Sequence, residues 1–227
     1  MFSGGAAIEE LRVHFPGTSP LDRLDHLVLA TPDLEQTIAD LELRLGVRAI
    51  PGGQHPGRGT RNALIAISAA AYLEIVGPDL EQPHPKGSRW FGIDSLSAPR
   101  LVTWAAKGTA LEQLVTRSTR SGVHLGTVIS GSRRRPDGVL LSWQFTDPSA
   151  LVADGLVPFF IDWGTSPHPA LNAPRGPSLF GLRGEHPNPG EVRRLLSALG
   201  IDLQVEKGSH PALVATLETI SKQLELR

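Results

Sequence analysis

Three times along this chain one grammar recurs: a short apolar strand, a capped amphipathic helix closed by glycine, then several further strands. A helix followed by several strands, rather than one, points away from a doubly wound sheet and towards repeated βαβββ units. The first unit opens with a strand at His26–Ala30. Thr31 offers an N-cap oxygen, and Pro32 suits the first helical position because its missing N–H would be unpaired there anyway. Leu34, Ile38, Leu41 and Leu45 follow at helical spacing, and Gly46 supplies the left-handed stop. Strands are predicted at Val47–Ile50, Arg61–Ile67 and Tyr72–Val76, with a glycine-rich loop from Gly52 to Gly59 between the first two.

A second unit begins with a strand at Leu101–Ala105. Thr109 and Glu112 form a capping box, Leu111, Leu114 and Val115 mark the helix, and Gly122 ends it. Strands follow at Leu125–Ile129, Val139–Phe145 and Val157–Trp163. A third pass runs from Ser178–Leu182 through a helix capped by Asn188, Pro189 and Glu191 and stopped at Gly200. Strands at Ile201–Val205, Ala212–Thr216 and Ile220–Leu226 complete it, the last readable as a short helix instead. Residues 1–21, with a short helix at Ile8–Val13, read as an N-terminal arm. Residues 22–165 hold the first two units, and residues 178–227 a third βαβββ-like module on the same domain. Pro-rich connections at Pro78–Arg100 and Gly164–Pro177 separate the units.

Composition removes several functional classes. The chain of 227 residues has no cysteine, so disulfides, cysteine metal sites and thiol nucleophiles are excluded. Its formal net charge of −1 leaves no basic excess to neutralise phosphates, so nucleic acid is not an expected partner. The run Arg133–Arg134–Arg135, followed by Pro136–Asp137–Gly138, reads as a solvated turn. No apolar run is long enough to span a bilayer, and the first residues lack the pattern of a signal peptide; the expected compartment is the cytoplasm and no membrane partner is expected. No G-x-G-x-x-G follows a first strand, and no G-x-S-x-G occurs to support a serine hydrolase.

Strand alternation selects the candidate site. Leu27 and Leu29 share one face of the first strand and His26 the other; Leu73 and Ile75 share one face of the fourth, with Tyr72, Glu74 and Val76 opposite. If the leucine and isoleucine faces hold the helix, His26 and Glu74 emerge together into the hollow of a curved sheet. A carboxylate flanked by Leu73 and Ile75 is costly to bury unless paired or bound to metal. The plain alternatives are a strand histidine bonded near Asp25 and a solvated glutamate on an open face. His55, within a run of glycines, reads either as part of a flexible hairpin or as a group offered by a pocket lid, together with Arg58 or Arg61 and with Asn62 as a hydrogen-bonding partner. Trp104, Trp143, Phe160 and Trp163 are strand aromatics, readable as core or as pocket wall.

Asp25-His26, Gly59-Thr60-Arg61-Asn62, Tyr72 to Pro78 and Pro158 to Trp163 with His168-Pro169 together resemble the glyoxalase-like branch of the vicinal oxygen chelate superfamily. The resemblance implies an α+β fold of paired βαβββ modules whose sheets form an open curved barrel. It implies a divalent metal (zinc, manganese, nickel or iron) held by His26 and Glu74, with Glu74 and His55 as catalytic groups. Arg61, Asn62, Trp104, Phe160, Trp163 and His168 become the candidate substrate-binding residues. The second unit departs from the pattern: Thr103 and Ile161 stand where ligands would match, and His55 or Asp162 would have to complete the set. The leading expectation is a metal-assisted lyase, isomerase or dioxygenase acting on a carbonyl or vicinal-oxygen substrate. The alternative is a non-catalytic protein of the same fold that sequesters a small molecule. Because such modules work in pairs, a surplus third unit leads to the further expectation of a cap on the barrel or a homodimer contact.

Overall fold

A computed structural model describes residues 18–134 and 138–227. The expected helix at Ile8–Val13, and Arg135 to Asp137 of the arginine turn, lie outside the described residues. After a single helical turn, α1 (Pro20–Arg23), the first unit runs β1 (Leu24–Ala30), α2 (Leu34–Leu45), β2 (Ile50–His55), β3 (Thr60–Ala66) and β4 (Tyr72–Pro78). The second runs β5 (Arg100–Lys107), α3 (Leu111–Arg120), β6 (Val128–Arg134), β7 (Leu140–Thr146) and β8 (Phe159–Asp162).

The eight strands of the two units form one sheet in the order β2-β3-β4-β1-β5-β8-β7-β6. Within each unit the first strand pairs in parallel with the last, and the three later strands form an antiparallel meander. The units join through the antiparallel pair β1–β5. The sheet curls until its two edges approach: a Cβ placed on Gly53 of β2 would lie 3.1 Å from the Arg133 guanidinium of β6. The result is a nearly closed, curved barrel. Arg133 and Arg134 are thus the end of a strand and not a turn. β2 likewise extends through the glycines to His55, so that only residues 56–59 remain as the turn.

The third unit keeps the element order but not the wiring. It comprises β9 (Ser178–His186), α4 (Pro189–Ala198), β10 (Gln204–Lys207), β11 (Ala212–Glu218) and β12 (Gln223–Leu226), so the last segment is strand and not helix. Its sheet order is β10-β9-β11-β12, with β9 parallel to β10 across α4 and antiparallel to β11. In the first two units the opening strand lies beside the closing one; here it lies beside the second and third. The expectation of a third repeat is corrected accordingly: a crossover and an added hairpin share the grammar of the repeat, because grammar fixes element order and not partners.

Helix boundaries depend on local bonds. α2 starts after Asp33, whose carboxylate accepts the Gln36 N–H at 3.1 Å, and stops at Gly46 with φ 72°. Thr31, the expected cap, is buried two residues earlier, where its hydroxyl bonds Thr37 at 2.7 Å. α3 follows Ala110 in the left-handed region, and among the described residues no side chain caps it, so the Thr109–Glu112 capping box is not formed. None of the helices of the described residues is long and apolar enough to cross a membrane.

Apolar packing divides by face. On the convex face Leu27, Leu29, Leu73 and Ile75 bury Leu34, Ile38, Leu41 and Leu45 of α2. The third unit covers the rest of that face, bringing Leu182, Leu196 and Leu213 into the same core as Trp104, Leu156 and Phe160. The concave face carries a separate cluster that includes Val28, Val76, Phe91, Phe145, Phe159 and Ile161. Trp104 and Phe160 are fully buried, and the Trp104 indole donates to the Leu156 carbonyl at 3.0 Å. Both residues were expected in the pocket. The register of β5 and β8 turns them to the convex side, where they anchor the third unit.

Trp104→Ala is therefore expected to cost about 3–5 kcal/mol in urea unfolding, as for other buried tryptophans, while leaving ligand binding in the folded protein unchanged. A loss of binding without loss of stability would return Trp104 to the pocket.

Candidate active site

The site starts with an irregularity in β1. Leu24 pairs with Ala106 and His26 with Ala105, so Asp25 has no opposite residue. Such a bulge breaks the alternation of faces and re-aims a side chain. Asp25, adjacent to His26 and formally on the other face, instead reaches it: Asp25 Oδ1 lies 2.7 Å from His26 Nδ1. Its second oxygen accepts the Trp163 indole N–H and His168 Nε2, each at 3.1 Å. The tautomer of His168 is fixed because its Nδ1 accepts the Ala170 N–H at 3.2 Å, which leaves the proton on Nε2. Burial pushes the Asp25 carboxyl up, but hydrogen bonds from His168 and His26, with their charges, outweigh it and hold the carboxyl at about 2.

With Nδ1 committed to Asp25, His26 turns Nε2 towards Glu74. Its ring stacks on Tyr72, centroids 4.7 Å apart, and meets the edge of Phe159. Tyr72 is the β4 partner of His26, and Glu74 stands two residues further along the same face. His26 Nε2 is 3.4 Å from Glu74 Oε2. The other Glu74 oxygen accepts the Asn62 amide N–H from β3. That amide also lies 3.3 Å from His55 Nε2, while His55 Nδ1 is 2.9 Å from the Thr60 hydroxyl. An amide nitrogen only donates, so His55 Nε2 accepts and its proton sits on Nδ1. Burial pushes the His55 pKa down; the Glu74 charge opposes this, and the charges of Arg133 and Arg58 reinforce it. Burial, with the Asp25 and Glu74 charges, pushes the Tyr72 phenol well above its usual range, so it stays neutral.

Asn62 can sit there because Gly52 has no side chain: a Cβ on Gly52 would lie 2.1 Å from Asn62 Oδ1. The groups open onto a cavity of about 390 Å³. Trp90, Trp143, Phe145, Phe159, Ile161 and Trp163 supply its apolar walls, and Arg58 and Arg133 are among its polar lining. The histidines, the amide and the carboxylate come from the first unit, and most of the aromatic wall, with Arg133, from the second.

Of the residues expected in the site, the fold brings His26, His55, Asn62, Glu74 and Trp163 to the cavity. His168 stands behind it, as a partner of Asp25. Arg61 does not face it. Alternation along β3 turns Arg61 away from Asn62, towards α2, where it pairs with Glu35 at 2.9 Å. Asp162 is occupied at a strand end, accepting the Gly164 N–H. Asp25 was missed as a site residue because no periodicity reveals a bulge. Tyr72 was legible, since it shares the face of Glu74. Trp90 lies in a proline-rich connection with no pattern to betray it.

The donor set bears on the metal implied by the resemblance. Among the described residues no group of three or more His, Asp or Glu side chains is placed to hold an ion. His26 and Glu74 offer two donors, and the concave positions of β5 and β8 add Thr103, Ala105, Phe159 and Ile161. A resident ion normally takes three or four protein ligands. The residues present do not fit one, and no chemical step is derived through it.

The sequence model of a family described as "Glyoxalase-like domain" matches residues 24–200. That span covers both barrel units, β9 and α4. No curated protein matches the chain. Among solved structures, a hypothetical protein from Staphylococcus aureus superposes with a TM-score of 0.58 at 17% identity, over 89% of this chain and 83% of that one. Methylmalonyl-CoA epimerase from Mycobacterium tuberculosis gives a TM-score of 0.43 at 22% identity, over 66% of this chain and 94% of that one. The Streptomyces coelicolor epimerase in complex with 2-nitronate-propionyl-CoA gives 0.43 at 19% identity, over 65% and 98%. At such identities the likeness is one of fold.

Two outcomes follow from this geometry. Lowering the Asp25 carboxyl from the ordinary 3.8 to about 2 contributes about 2 kcal/mol to stability above pH 4, and the contribution is lost as pH falls through the folded value. Asp25→Asn should remove that stability at neutral pH and flatten the acid limb of stability between about pH 4 and 2 in urea titrations. Gly52→Ala should displace Asn62 from Glu74, read by a shift of the Asn62 side-chain amide signals in ¹⁵N-edited NMR, and should cost about 1–3 kcal/mol in thermal melting.

Proposed function

Because the chain belongs to the glyoxalase-like domain family, we propose that its cavity catalyses proton transfer on a small carbonyl compound bearing a neighbouring oxygen, an isomerase or lyase step. One observation carries this reading: His26 Nε2 and Glu74 Oε2 face each other at 3.4 Å on the cavity wall, with Asp25 bonded behind the histidine. Nδ1 of His26 donates to a carboxylate, so two acceptors would otherwise confront each other across that gap. The contact is favourable when a proton lies between them, and a proton held there is available to a substrate.

In the proposed step Glu74 removes the proton α to the carbonyl. The C–H electron pair becomes the new C=C bond, and the carbonyl π pair moves onto oxygen. The N–H of His26 stabilises that oxyanion or protonates it. Returning that proton from Glu74 to the former carbonyl carbon, as the neighbouring hydroxyl loses its own proton to become the new carbonyl, gives an isomer; collapse of the enolate with a β-substituent leaving with its bonding pair and protonated as it goes gives a lyase product. Asn62 holds Glu74 by one oxygen and leaves the other free. Asp25 is a positioning residue that fixes which nitrogen of His26 works. The neutral Tyr72 ring supports the imidazole by stacking.

A second reading, a binding protein without turnover, is favoured by the aromatic walls that Trp90, Trp143, Phe145, Phe159 and Trp163 give the cavity. One experiment separates the two. Incubated in D₂O with a panel of 2-hydroxy aldehydes and ketones and followed by ¹H NMR, the protein should accelerate exchange of the α-proton. Glu74→Gln should slow exchange at least about 100-fold, the size of a lost general base. Dialysis against chelator should leave the rate unchanged. Binding without exchange across the panel would establish the second reading and sink the first.

A further inference from the structure

Proton transfer leaves the charge at the cavity rim unused. Arg58, at the tip of the β2–β3 turn, places its guanidinium carbon 4.5 Å from the centroid of the Trp90 ring. A guanidinium stacked on an indole keeps its N–H donors in its own plane and presents them sideways. The Arg58 backbone N–H closes the turn on the His55 carbonyl at 3.0 Å, while its guanidinium makes no hydrogen bond and no ion pair among the described residues.

The platform beneath it is fixed. Phe91, next to Trp90, is buried with φ 60°, a conformation that a bulky residue keeps only when its surroundings enforce it. Arg89, on the other side, donates to the Gly59 carbonyl at 2.8 Å and pairs with Asp94 at 2.6 Å. The segment bearing the indole is thus tied to the turn bearing the cation. Arg133 also lines the cavity, and the carboxylate that the described residues give its wall, Glu74, is engaged by Asn62 and His26. Trp90 meets Phe145 edge to face at 6.2 Å, and the paired rings of Trp143 and Trp163, with centroids 5.1 Å apart, line the same cavity.

We propose that the ligand is an aryl carboxylate with an oxygen on the carbon next to the carboxylate. Its anion sits on the in-plane donors of Arg58, its ring lies along the tryptophans, and its second oxygen turns towards His26 and Glu74. The assignment rests on reading the cavity as the active site and names the class of molecule it admits.

Benzoylformate tests it, because it has no α-hydrogen and reports binding alone. Titrated by tryptophan fluorescence, it should bind at least about tenfold more tightly than its methyl ester, the worth of a charge-assisted contact, and than pyruvate, which lacks the ring. Arg58→Gln should bring the acid to the affinity of the ester and leave the ester unchanged. Equal binding of acid and ester, binding of neither, or an Arg58→Gln variant that holds the acid as the wild type does, overturns the proposal. Glu74→Gln should retain the preference for the acid. If that variant keeps both the preference and α-proton exchange, the proton-transfer reading falls and the ligand class stands.

Discussion

A single ionised carboxylate in the dry interior governs this molecule. Asp25 is fully buried, and an uncompensated charge there would be untenable. Three donors make it tolerable: His26 beside it on β1, Trp163 just past the end of β8, and His168 in the following connection. Those segments belong to the first unit, the second unit and the linker. The requirement to satisfy one charge therefore fixes the linker against the barrel and commits one nitrogen of His26 inward. The orientation of the other nitrogen, towards Glu74, is a by-product of satisfying the aspartate.

The doubled barrel shows how a repeated unit acquires a one-sided site. Both units have the same strand pairing, yet the concave positions of the first carry His26, Tyr72, Asn62 and Glu74, and those of the second carry Phe159 and Ile161. One half carries the facing histidine and carboxylate, and the other supplies most of the aromatic wall together with Arg133. Low polarity opposite the pair strengthens the electrostatic interactions there, as buried networks do wherever water is excluded. The convex face has its own solution: a third unit of different wiring buries what α2 and α3 leave open.

Most of the architecture could be read from periodicity and punctuation. The leucines of α2 and the glycine after it gave the helix, and alternation in β1 and β4 placed His26 and Glu74 on one face. The same alternation failed where the backbone departs from it. Asp25 sits at a bulge that no residue pattern announces. Arg61 was assigned with its neighbour Asn62 although successive strand residues face opposite ways. Trp104 and Phe160 were weighed by their aromatic character, while their facing depended on register with β1 and β5. Glycines around His55 suggest a turn, yet the edge strand runs through them. Third-unit pairing was not legible at all, since element order does not name partners.

The irregularity in β1 has a consequence for anyone who would move this chemistry to another scaffold. Grafting a histidine and a glutamate onto adjacent strands would reproduce their spacing and nothing else. Without the extra residue that lets neighbouring side chains lean the same way, the imidazole would lack its anionic backing and either ring nitrogen could face the hollow. The portable unit is the kinked strand.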